Sequence, residues 1–327
     1  MHPMITRSPE LAPEHLEAHR RALTGYCYRM LGSGAEADDA VQETMIKAWR
    51  SVDRFEGRSS VRSWLFRIAT NVCIDMGRSP QRRARPMDVG PARTPDAAHL
   101  VDVRTEATWI TPVADEQVLD LHGDPAEVAA LRDTIRLAFV ATLQRLPARQ
   151  RAALVLCDVL RWPAAEVAEL LDSSVPAVTS ALQRARATMA DEAPTGAPAP
   201  PLSAEQERLL ARYVDAFERY DIAALGRLVH DDVIQAMPPY ALWLRGRRDV
   251  MAWWVGPGAE CEGSKLLAGR ANGCPAFAQY RRDPDGGHAP WALQVLELRG
   301  DRVAEVHAFL DTEAFARFGF PPHLPVG

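Results

Sequence analysis

The chain has 327 residues, more than one typical domain contains, which predicts two or three domains. Hydrophobic residues make up 47% of it, enough for packed cores, but no apolar run approaches the roughly 20 residues that span a bilayer. The net charge of −5 argues against a protein that simply coats nucleic acid. Residues 1–13 are polar and not typical of a signal peptide, so we expect a cytosolic, multidomain protein.

The first predicted elements are three helices, at residues 15–30, 35–52 and 61–76. Residues 81–123 show little periodicity and contain several prolines, which predicts an extended linker. Helical periodicity returns over 125–191 and stops before a proline-rich stretch at 193–201. Two helical modules separated by a linker therefore precede a second linker.

The second helix carries two distinct faces. Helical spacing places Val41, Met45 and either Ala48 or Trp49 on an apolar face. The opposite face is acidic and rich in hydrogen-bonding groups, namely Asp38, Asp39, Gln42 and Glu43. An acidic face beside a packed one predicts a docking surface for a basic partner.

A second ordered run follows at residues 55–75, where a loop with Gly57 leads into a helix that contains Trp64 and Asn71. Together the two runs resemble region 2 of the extracytoplasmic function (ECF) sigma factors of bacterial RNA polymerase. The family pattern is a D-x-V-Q-E-x-x-x-x-A-W helix, an F-x-G-x-S loop and a W-L-x-R-I-A-x-N-x-x-x-D helix. The match is long, ordered and gapless.

Residues 167–189 have the layout of a helix-turn-helix. Val167, Leu170 and Leu171 would pack the first helix, Ser174 would cap the second, and Val178 and Leu182 would seat it. The polar residues of the second helix are Thr179, Ser180, Gln183, Arg184 and Arg186, which could contact base edges and phosphates. From this pattern alone, a structural helical hairpin fits equally well.

The surroundings of this motif resemble sigma region 4, with L-P-x-x-x-R-x-x-x-x-L at 146–156 and V-x-S-x-L-x-R-A-R at 178–186. Pro163 stands where many relatives have Ser or Thr, Pro176 falls in the first turn of the second helix, and Ala181 replaces a common Arg. Proline is tolerated in a first turn, so the fold is expected to survive. The departures put the promoter sequence and the strength of contact in doubt.

The resemblance implies core RNA polymerase and promoter DNA as partners. In relatives the acidic helix docks on a coiled coil of the largest polymerase subunit, which assigns Asp38, Asp39, Gln42 and Glu43 to polymerase binding. The loop at 55–63 is where relatives capture a base flipped from the −10 element, and the recognition helix contacts the −35 element. The implied DNA-binding residues are Phe55, Arg58, Ser59, Arg62, Trp64, Asn71, Asp75, Arg78, Ser174, Thr179, Ser180, Gln183, Arg184 and Arg186.

Charge is segregated between the two modules. A basic cluster comprises Arg78, Arg82, Arg83, Arg85 and Arg93. Residues 96–127 are acidic and resemble the segment that in relatives threads the RNA-exit channel.

Each assignment has a plainer alternative. Trp49 and Trp64 fit a hydrophobic core better than base stacking. Asp38 and Asp39 would suit a solvated helix N-terminus with no partner, because negative charge there favours the helix dipole. The arginines of the basic cluster could serve solubility alone. The two-module match, in family order, outweighs these alternatives.

The last third of the chain predicts an α+β domain. A capped amphipathic helix at 203–220 and a helix at 247–254 are followed by strands at 265–270, 276–282, 291–299 and 302–310. The order of elements resembles the SnoaL-like branch of the cone-shaped nuclear-transport-factor superfamily. In the few sigma subfamilies that carry this domain, it acts in cis on the sigma modules.

The resemblance leaves three roles open for the cone: catalysis, ligand sensing, or regulation by packing. A catalytic cone needs a carboxylate base and a polarising donor. The polar candidates are Asp215, Asp231, Asp232, Tyr240, His307 and Asp311, and the residues named for a pocket are Tyr240, Trp243 and His307. Strand alternation does not tell which face of the last strand lines a cavity, and no base-plus-donor arrangement is legible.

The expected architecture is therefore multidomain, with two all-α sigma modules followed by an α+β SnoaL-like cone. The expected boundaries are 10–90 for region 2, 91–127 for an acidic linker, 128–192 for region 4, 193–202 for a proline-rich linker and 203–327 for the cone. We expect a non-enzymatic sigma factor without a cofactor. We also expect no metal site, since no cysteine forms a C-x-x-C pair or has a histidine at metal spacing. The rivals are a helix-turn-helix regulator that senses a small ligand through the cone, and a SnoaL-like enzyme fused to DNA-binding modules.

Overall fold

A computed structural model of the chain describes residues 13–55, 57, 59–78, 83–101, 109–192 and 202–325. The described residues form two compact units. The helical unit comprises the residues described within 1–82 and 116–196, and the mixed unit those within 83–115 and 197–327. The predicted regions 2 and 4 thus share one unit, while the segment after region 2 belongs to the unit of the C-terminal domain.

The helical unit is built from ten helices among its described residues: α1 (Pro13–Glu17), α2 (Arg20–Leu31), α3 (Gly34–Ser51), α4 (Val61–Met76), α6 (Asp115–Val118, whose first residue is assigned to the mixed unit), α7 (Pro125–Asp133), α8 (Leu137–Gln144), α9 (Ala148–Leu154), α10 (Ala164–Leu170) and α11 (Val175–Glu192). A 3₁₀ turn (Val52–Arg54) follows α3, and a π-helical turn (Val155–Val159) continues α9. No described helix combines the length and the apolar character needed to cross a membrane.

Local capping sets the ends of the helices that carry the region 2 motif. Ser33 accepts a hydrogen bond from the Glu36 N–H at the start of α3, and Ser60 accepts one from the Ser63 N–H at the start of α4. Gly32 ends α2 with a φ of 73°, a left-handed conformation that glycine adopts without a steric penalty. These caps fix where the acidic helix α3 and the predicted DNA-contacting helix α4 begin.

The helix-turn-helix forms at α10 and α11, as the sequence predicts. Val167 is fully buried, and Val178 and Leu182 seat α11 with 2% and 6% exposure. In the turn between the helices, Asp172 has a φ of 47°, a conformation that Asp and Asn tolerate better than most residues.

The mixed unit has helices α5 (Pro86–Val89), α12 (Ala204–Glu218), α13 (Ile222–Leu228), α14 (Arg247–Val255) and α15 (Ala314–Arg317), with 3₁₀ turns at Ala97–Val101 and Pro257–Cys261. Its strands are β1 (Val229–Ala236), β2 (Trp243–Arg245), β3 (Lys265–Ala271), β4 (Cys274–Arg282), β5 (His288–Arg299) and β6 (Arg302–Phe309). They form one sheet in the order β2-β1-β6-β5-β4-β3, in which only the pair β1–β6 is parallel.

Four of these strands, β3 to β6, match the predicted runs; the three-residue strand β2 was missed, and so was β1. Three consecutive polar residues, His230, Asp231 and Asp232, interrupt its alternation. The pairing of β1 with β6 also shifts register between Val229 and Ile234. A bulge of this kind breaks the period of two on which strand prediction depends.

The two faces of the sheet have different neighbours. Gln235, Leu296 and Val306 lie on the inner face, where helices α12 to α14 and the sheet enclose a hydrophobic cluster. Because side chains alternate along a strand, Trp243 and His307 lie on the outer face.

Residues 83–101 and 109–115, called the inter-region segment below, pack along the sheet. The indole N–H of Trp243 donates to the Gly90 carbonyl (2.8 Å), and the Arg93 N–H donates to the Trp243 carbonyl (2.9 Å). The indole N–H of Trp109, a residue only 1% exposed, donates to the Pro239 carbonyl (2.9 Å). The part of the predicted linker that the structure describes up to residue 115 is therefore folded onto the C-terminal domain.

Candidate functional site

The acidic face predicted on α3 is available to a partner. Asp39, Gln42 and Glu43 are exposed and Asp38 is half-buried, whereas Val41 on the opposite side is fully buried. The helix is thus anchored on one side and presents carboxylates on the other, as a surface for a basic partner requires.

Two large apolar side chains continue this face. Ile46 is 38% exposed and lies four residues after Gln42 and three after Glu43. Trp49 is 48% exposed and lies seven residues, about two helical turns, after Gln42. The interpretation of Trp49 as a core residue is therefore wrong. Exposed aromatic residues are typical interface anchors, and the spacing from Gln42 was the signal that could have placed Trp49 on the docking face.

The loop before α4 brings two predicted DNA-binding aromatic residues together. The rings of Phe55 and Trp64 lie 5.0 Å apart between centroids, and both side chains are half-buried. Ser59 is exposed beside them. Arg58, which the sequence also assigns to DNA, lies outside the described residues, as does Arg82 of the basic cluster.

The outer face of α4 carries the next predicted DNA contacts. Asn71 and Asp75 are exposed on the helix, and Arg78 follows it. Asp75 and Arg78 form an ion pair of 3.0 Å, which at this exposure contributes little stability and leaves Arg78 able to turn to a phosphate.

The recognition helix α11 presents most of its predicted contacts to solvent. Thr179, Gln183 and Arg184 are exposed, and the Ser174 hydroxyl caps the helix by accepting from the Ala177 N–H (3.3 Å). Ser180 is half-buried and accepts a hydrogen bond from Arg184 (2.6 Å).

Arg186 differs from these residues because it is already engaged. Its guanidinium forms two hydrogen bonds to the Asp158 carboxylate, at 2.7 and 2.8 Å. A contact from Arg186 to a phosphate would have to replace this paired geometry.

Regions 2 and 4 also contact each other within the helical unit, a contact that no local sequence pattern predicts. The Ser63 hydroxyl donates to Glu166 of α10 (2.5 Å), and Arg67 donates to the Glu169 carbonyl (2.8 Å) and to Asp172. We call these contacts the exposed part of the joint. Ser63 and Arg67 lie one to five residues from the predicted DNA contacts Arg62 and Trp64.

A second set of contacts forms the buried part of the joint. The Arg29 side chain, 2% exposed, donates to the Thr134 hydroxyl (2.7 and 3.0 Å) and to the carbonyls of Gly25 (2.6 Å) and Leu131 (3.4 Å). Burial lowers the pKa of Arg29 to about 10, so it stays charged at neutral pH. Arg151 donates to the Met30 carbonyl and so bonds α9 to α2.

An aromatic contact completes the joint. Trp162, 6% exposed, packs on Phe66 with ring centroids 5.0 Å apart. The Arg62 guanidinium lies 4.8 Å from the Trp162 ring, a cation–π geometry. A predicted DNA contact, Arg62, therefore faces an element of region 4 in this structure.

The exposed part of the joint borders an open groove of about 790 Å³. Its walls include Phe55, Ser59 and Trp64 from region 2, and Glu169 and Asp172 from region 4. The predicted site for a flipped base is thus faced by acidic side chains of the helix-turn-helix.

The cone encloses a cavity of about 180 Å³. Of the three residues named for a pocket, Tyr240 lines this cavity, whereas Trp243 and His307 do not and lie on the outer face of the sheet. The side chains of Val306 and Ala308, which flank His307, line the cavity instead. The assignment of Trp243 and His307 to a pocket is therefore wrong, because strand alternation turns them to the other side.

His307 belongs to a polar cluster under the inter-region segment. Its Nε2 donates to Glu305 (2.8 Å). Burial alone would raise the pKa of Glu305, but the hydrogen bond from His307 and the charges of His307, Arg85 and Arg299 lower it. Glu297, Glu305 and His307 could geometrically hold a metal ion, yet Arg85 already supplies positive charge to both carboxylates.

The other polar candidates of the cone are ion-paired on the surface rather than gathered in the cavity. The pairs are Asp215–Arg219 (2.5 Å), Asp231–Arg247 (2.7 Å), Asp232–Arg299 (2.8 Å) and Asp311–Arg317 (3.1 Å). None of these aspartates lines the cavity.

Comparison with known proteins assigns each module. The family model for Sigma-70 region 2 matches residues 15–83, the model for Sigma-70 region 4 matches 136–189, and the model for the SnoaL-like domain matches 210–306. The order of the three matches is the order expected from the sequence.

Curated relatives agree with these models. The chain is 43% identical to the ECF RNA polymerase sigma factor SigG of Mycobacterium tuberculosis over 95% of this chain and 84% of the relative. It is 32% identical to SigJ of the same organism, over 66% of this chain and 62% of that one. The crystal structure of SigJ has the same fold over 94% of this chain and 99% of that chain, with a TM-score of 0.57 at 22% identity.

Proposed function

The chain belongs to the ECF RNA polymerase sigma factors, and we propose that it binds core RNA polymerase, directs it to a promoter of two elements and is controlled by its own C-terminal domain. Transcription then begins on the polymerase, in the cytoplasm. The observation that carries the proposal is the exposed face of α3, which presents Asp39, Gln42 and Glu43 together with Ile46 and Trp49.

The docking face combines two physical contributions. The carboxylates of Asp39 and Glu43 would steer a basic surface of the polymerase and fix its register. Ile46 and Trp49 would supply apolar area at the centre of the contact, where most binding energy is concentrated. Acidic charge alone would give a weaker, salt-sensitive contact.

Promoter contacts divide between the modules. Phe55, Ser59, Arg62 and Trp64 would take part in melting at the −10 element, followed along α4 by the contacts around Asn71. The exposed residues of α11 would enter the major groove at the −35 element.

The joint suggests an order of events. The docking face of α3 is exposed while Arg62, Ser63 and Arg67 are held against region 4. Polymerase can therefore bind first, and separation of the two regions must precede contact with both promoter elements. While regions 2 and 4 are in contact, the acidic side chains that line the groove would repel DNA.

Control by the C-terminal domain follows from the path of the chain. The inter-region segment joins region 2 to region 4, and Trp109 and Asp115 are buried where it packs on the C-terminal domain. Because the segment links the two regions, a movement that separates regions 2 and 4 either leaves the segment docked on the C-terminal domain or releases it. The C-terminal domain would thereby bias how far the regions can move apart.

We infer that the protein is not itself an enzyme. Glu260 is the one carboxylate among the described residues that line the cavity, and it is ion-paired with Arg281 (2.9 Å). The carboxylate base expected of catalysis in this fold would have to be free beside the substrate.

The direct test is binding of core polymerase by the double variant Asp39→Ala/Glu43→Ala, measured by biolayer interferometry. We expect the dissociation constant to rise at least about tenfold with the fold unchanged, because both side chains are exposed. Asp215→Ala, an exposed aspartate of the mixed unit, is the matched control. Unchanged affinity in the double variant would refute the docking assignment.

A further inference from the structure

We propose that the C-terminal domain binds a small, uncharged aromatic molecule that carries a hydrogen-bond acceptor, in a cavity whose wall is completed by Leu100 of the inter-region segment. The bound molecule would hold the segment against the domain. This proposal concerns the cone alone and does not depend on polymerase binding.

The size and lining of the cavity define the shape of the ligand. Its volume is about 180 Å³, slightly larger than the engineered cavity of about 150 Å³ that binds benzene. Phe217, Tyr240, Trp253 and Trp254 contribute aromatic surface to its walls. The space therefore fits one substituted ring or two small fused rings, stacked or edge-on to these side chains.

The electrostatics of the lining exclude a charged ligand. The two charged residues of the lining, Glu260 and Arg281, are paired with each other, and Arg281 also lies 4.1 Å from the Trp291 ring centroid. Burial, with smaller contributions from nearby Cys261 and Glu262, raises the pKa of Tyr220 to about 12, so this residue stays neutral. An ion entering the cavity would lose hydration without gaining a counter-charge.

One buried amide supplies the polar specificity. Gln235, 5% exposed, accepts a hydrogen bond at Oε1 from the Trp254 indole N–H (2.8 Å). An indole N–H can only donate, so this bond fixes the amide with its oxygen toward Trp254 and its Nε2 donors away from it. The partner seen for Nε2 is the Met237 sulfur at 3.7 Å, and a thioether is a weak acceptor. A carbonyl oxygen in the cavity would be a better one.

The neighbouring amides do not compete for that role. Gln294 accepts from the Tyr213 hydroxyl (2.8 Å) and donates to the Gln279 oxygen (2.8 Å). Gln279 in turn donates to the Ser264 hydroxyl (3.1 Å). This chain of bonds is satisfied within the domain, which leaves Gln235 as the lining amide whose N–H donors a ligand would engage.

Leu100 connects the cavity to the rest of the chain. It lies in the 3₁₀ turn Ala97–Val101, lines the cavity and packs against the hydrophobic cluster of the cone. A ligand in contact with Leu100 binds more tightly when the inter-region segment is docked, so its binding must favour the docked segment by the same free energy.

The proposal is tested with three probes of similar shape on the full-length protein: 4-fluoroacetophenone, 4-fluorocumene and 4-fluorobenzoate. Fluorine relaxation gives each dissociation constant. We expect the ketone to bind about three- to tenfold more tightly than the hydrocarbon, since one neutral hydrogen bond separates them, and the carboxylate to show no saturable binding. Saturable binding of none of the probes, or equal binding of the carboxylate, would overturn the proposal.

Variants locate the site. Gln235→Met should abolish the preference for the ketone over the hydrocarbon, a comparison made within one variant and so independent of its stability. Ala308→Leu should fill the cavity and weaken both neutral probes at least about tenfold. Val89→Ala, in the same inter-region segment but 43% exposed, is the control and should bind like the wild type. Unaltered binding by Ala308→Leu would place the probes elsewhere and contradict the assignment.

The coupling to the segment has its own readout. The ketone should slow amide hydrogen exchange in residues 97–101, and Leu100→Ala should weaken both neutral probes about threefold or more. Exchange in 97–101 that is indifferent to a saturating ketone would show that the cavity is not coupled to the segment.

Discussion

The helical unit and the mixed unit use polar groups in opposite ways. In the helical unit the groups assigned to partners lie on outer surfaces, and a buried cation, Arg29, bonds region 2 to the residues that precede α8. In the mixed unit the exposed aspartates are paired with arginines, and uncharged amides such as Gln235 and Gln294 lie inside. The first arrangement fits the proposed contacts with macromolecules, and the second fits the proposed small, neutral ligand.

We expect the largest effect on stability from a variant that breaks the buried part of the joint. Arg29→Ala removes a charged donor from the Gly25 and Leu131 carbonyls and from Thr134, and leaves these acceptors buried. We expect a loss of roughly 2–3 kcal/mol in the free energy of unfolding, measured by urea with helical circular dichroism. Arg21→Ala on the same helix, 53% exposed, should change it by less than about 0.5 kcal/mol. Equal stability of the two variants would show that the buried cation does not hold the joint.

A surface change in the same unit should act on binding alone. Trp49→Ala removes an exposed aromatic side chain, so we expect about tenfold weaker binding of core polymerase and an unchanged unfolding curve. The control is Val255→Ala, an exposed apolar residue of the mixed unit. Wild-type affinity in the Trp49 variant would restrict docking to the acidic residues.

In the mixed unit a buried change should release the inter-region segment. The Asn272 side-chain oxygen accepts from the Val113 N–H (3.1 Å), and the backbone N–H of Asn272 donates to the Val113 carbonyl (3.1 Å). Asn272→Gly keeps the left-handed φ of 55° while removing the side-chain acceptor, at a cost of about 1 kcal/mol. Amide exchange at Val113 should then be about fivefold faster, and an unaltered rate would show that other contacts hold the segment.

The smallest effect concerns the exposed part of the joint. Glu166→Gln with Asp172→Asn neutralises the two acids that face Ser63 and Arg67, and Asn keeps the left-handed turn at position 172. Exposed pairs contribute little, so promoter binding by the polymerase complex should improve about two- to fivefold in a filter-binding assay. Weaker promoter binding would show that these acids assist promoter binding rather than hold regions 2 and 4 together.

Much of this organisation follows from local sequence patterns. The helices predicted at 35–52 and 61–76, the helix-turn-helix at 167–189 with its Ser174 cap and the four last strands depend on periodicity and capping within a few residues, and the structure confirms them. Contacts between distant residues are different. No local pattern near Arg29 predicts its hydrogen bond to Thr134. Likewise, no pattern in the proline-containing stretch at 83–101 predicts that it packs on the sheet.

The pocket assignments of Trp243 and His307 required information that the sequence pattern does not contain. Trp243 and His307 occur in strands that a sequence pattern can locate, but the pattern does not say which face turns toward the helices. That choice depends on the packing of α12 to α14 on one face and the inter-region segment on the other. Gln235, the residue that defines the proposed ligand, occurs in β1, the strand whose bulge hid it.

The sigma-factor function and its docking through α3 are tested most directly by run-off transcription with purified core polymerase, the full-length protein and a genomic promoter library. We expect promoter-specific transcripts that require this protein and are lost with Asp39→Ala/Glu43→Ala. Specific transcripts that persist undiminished in the double variant, or none from the wild type with a core polymerase verified as active, would contradict this expectation.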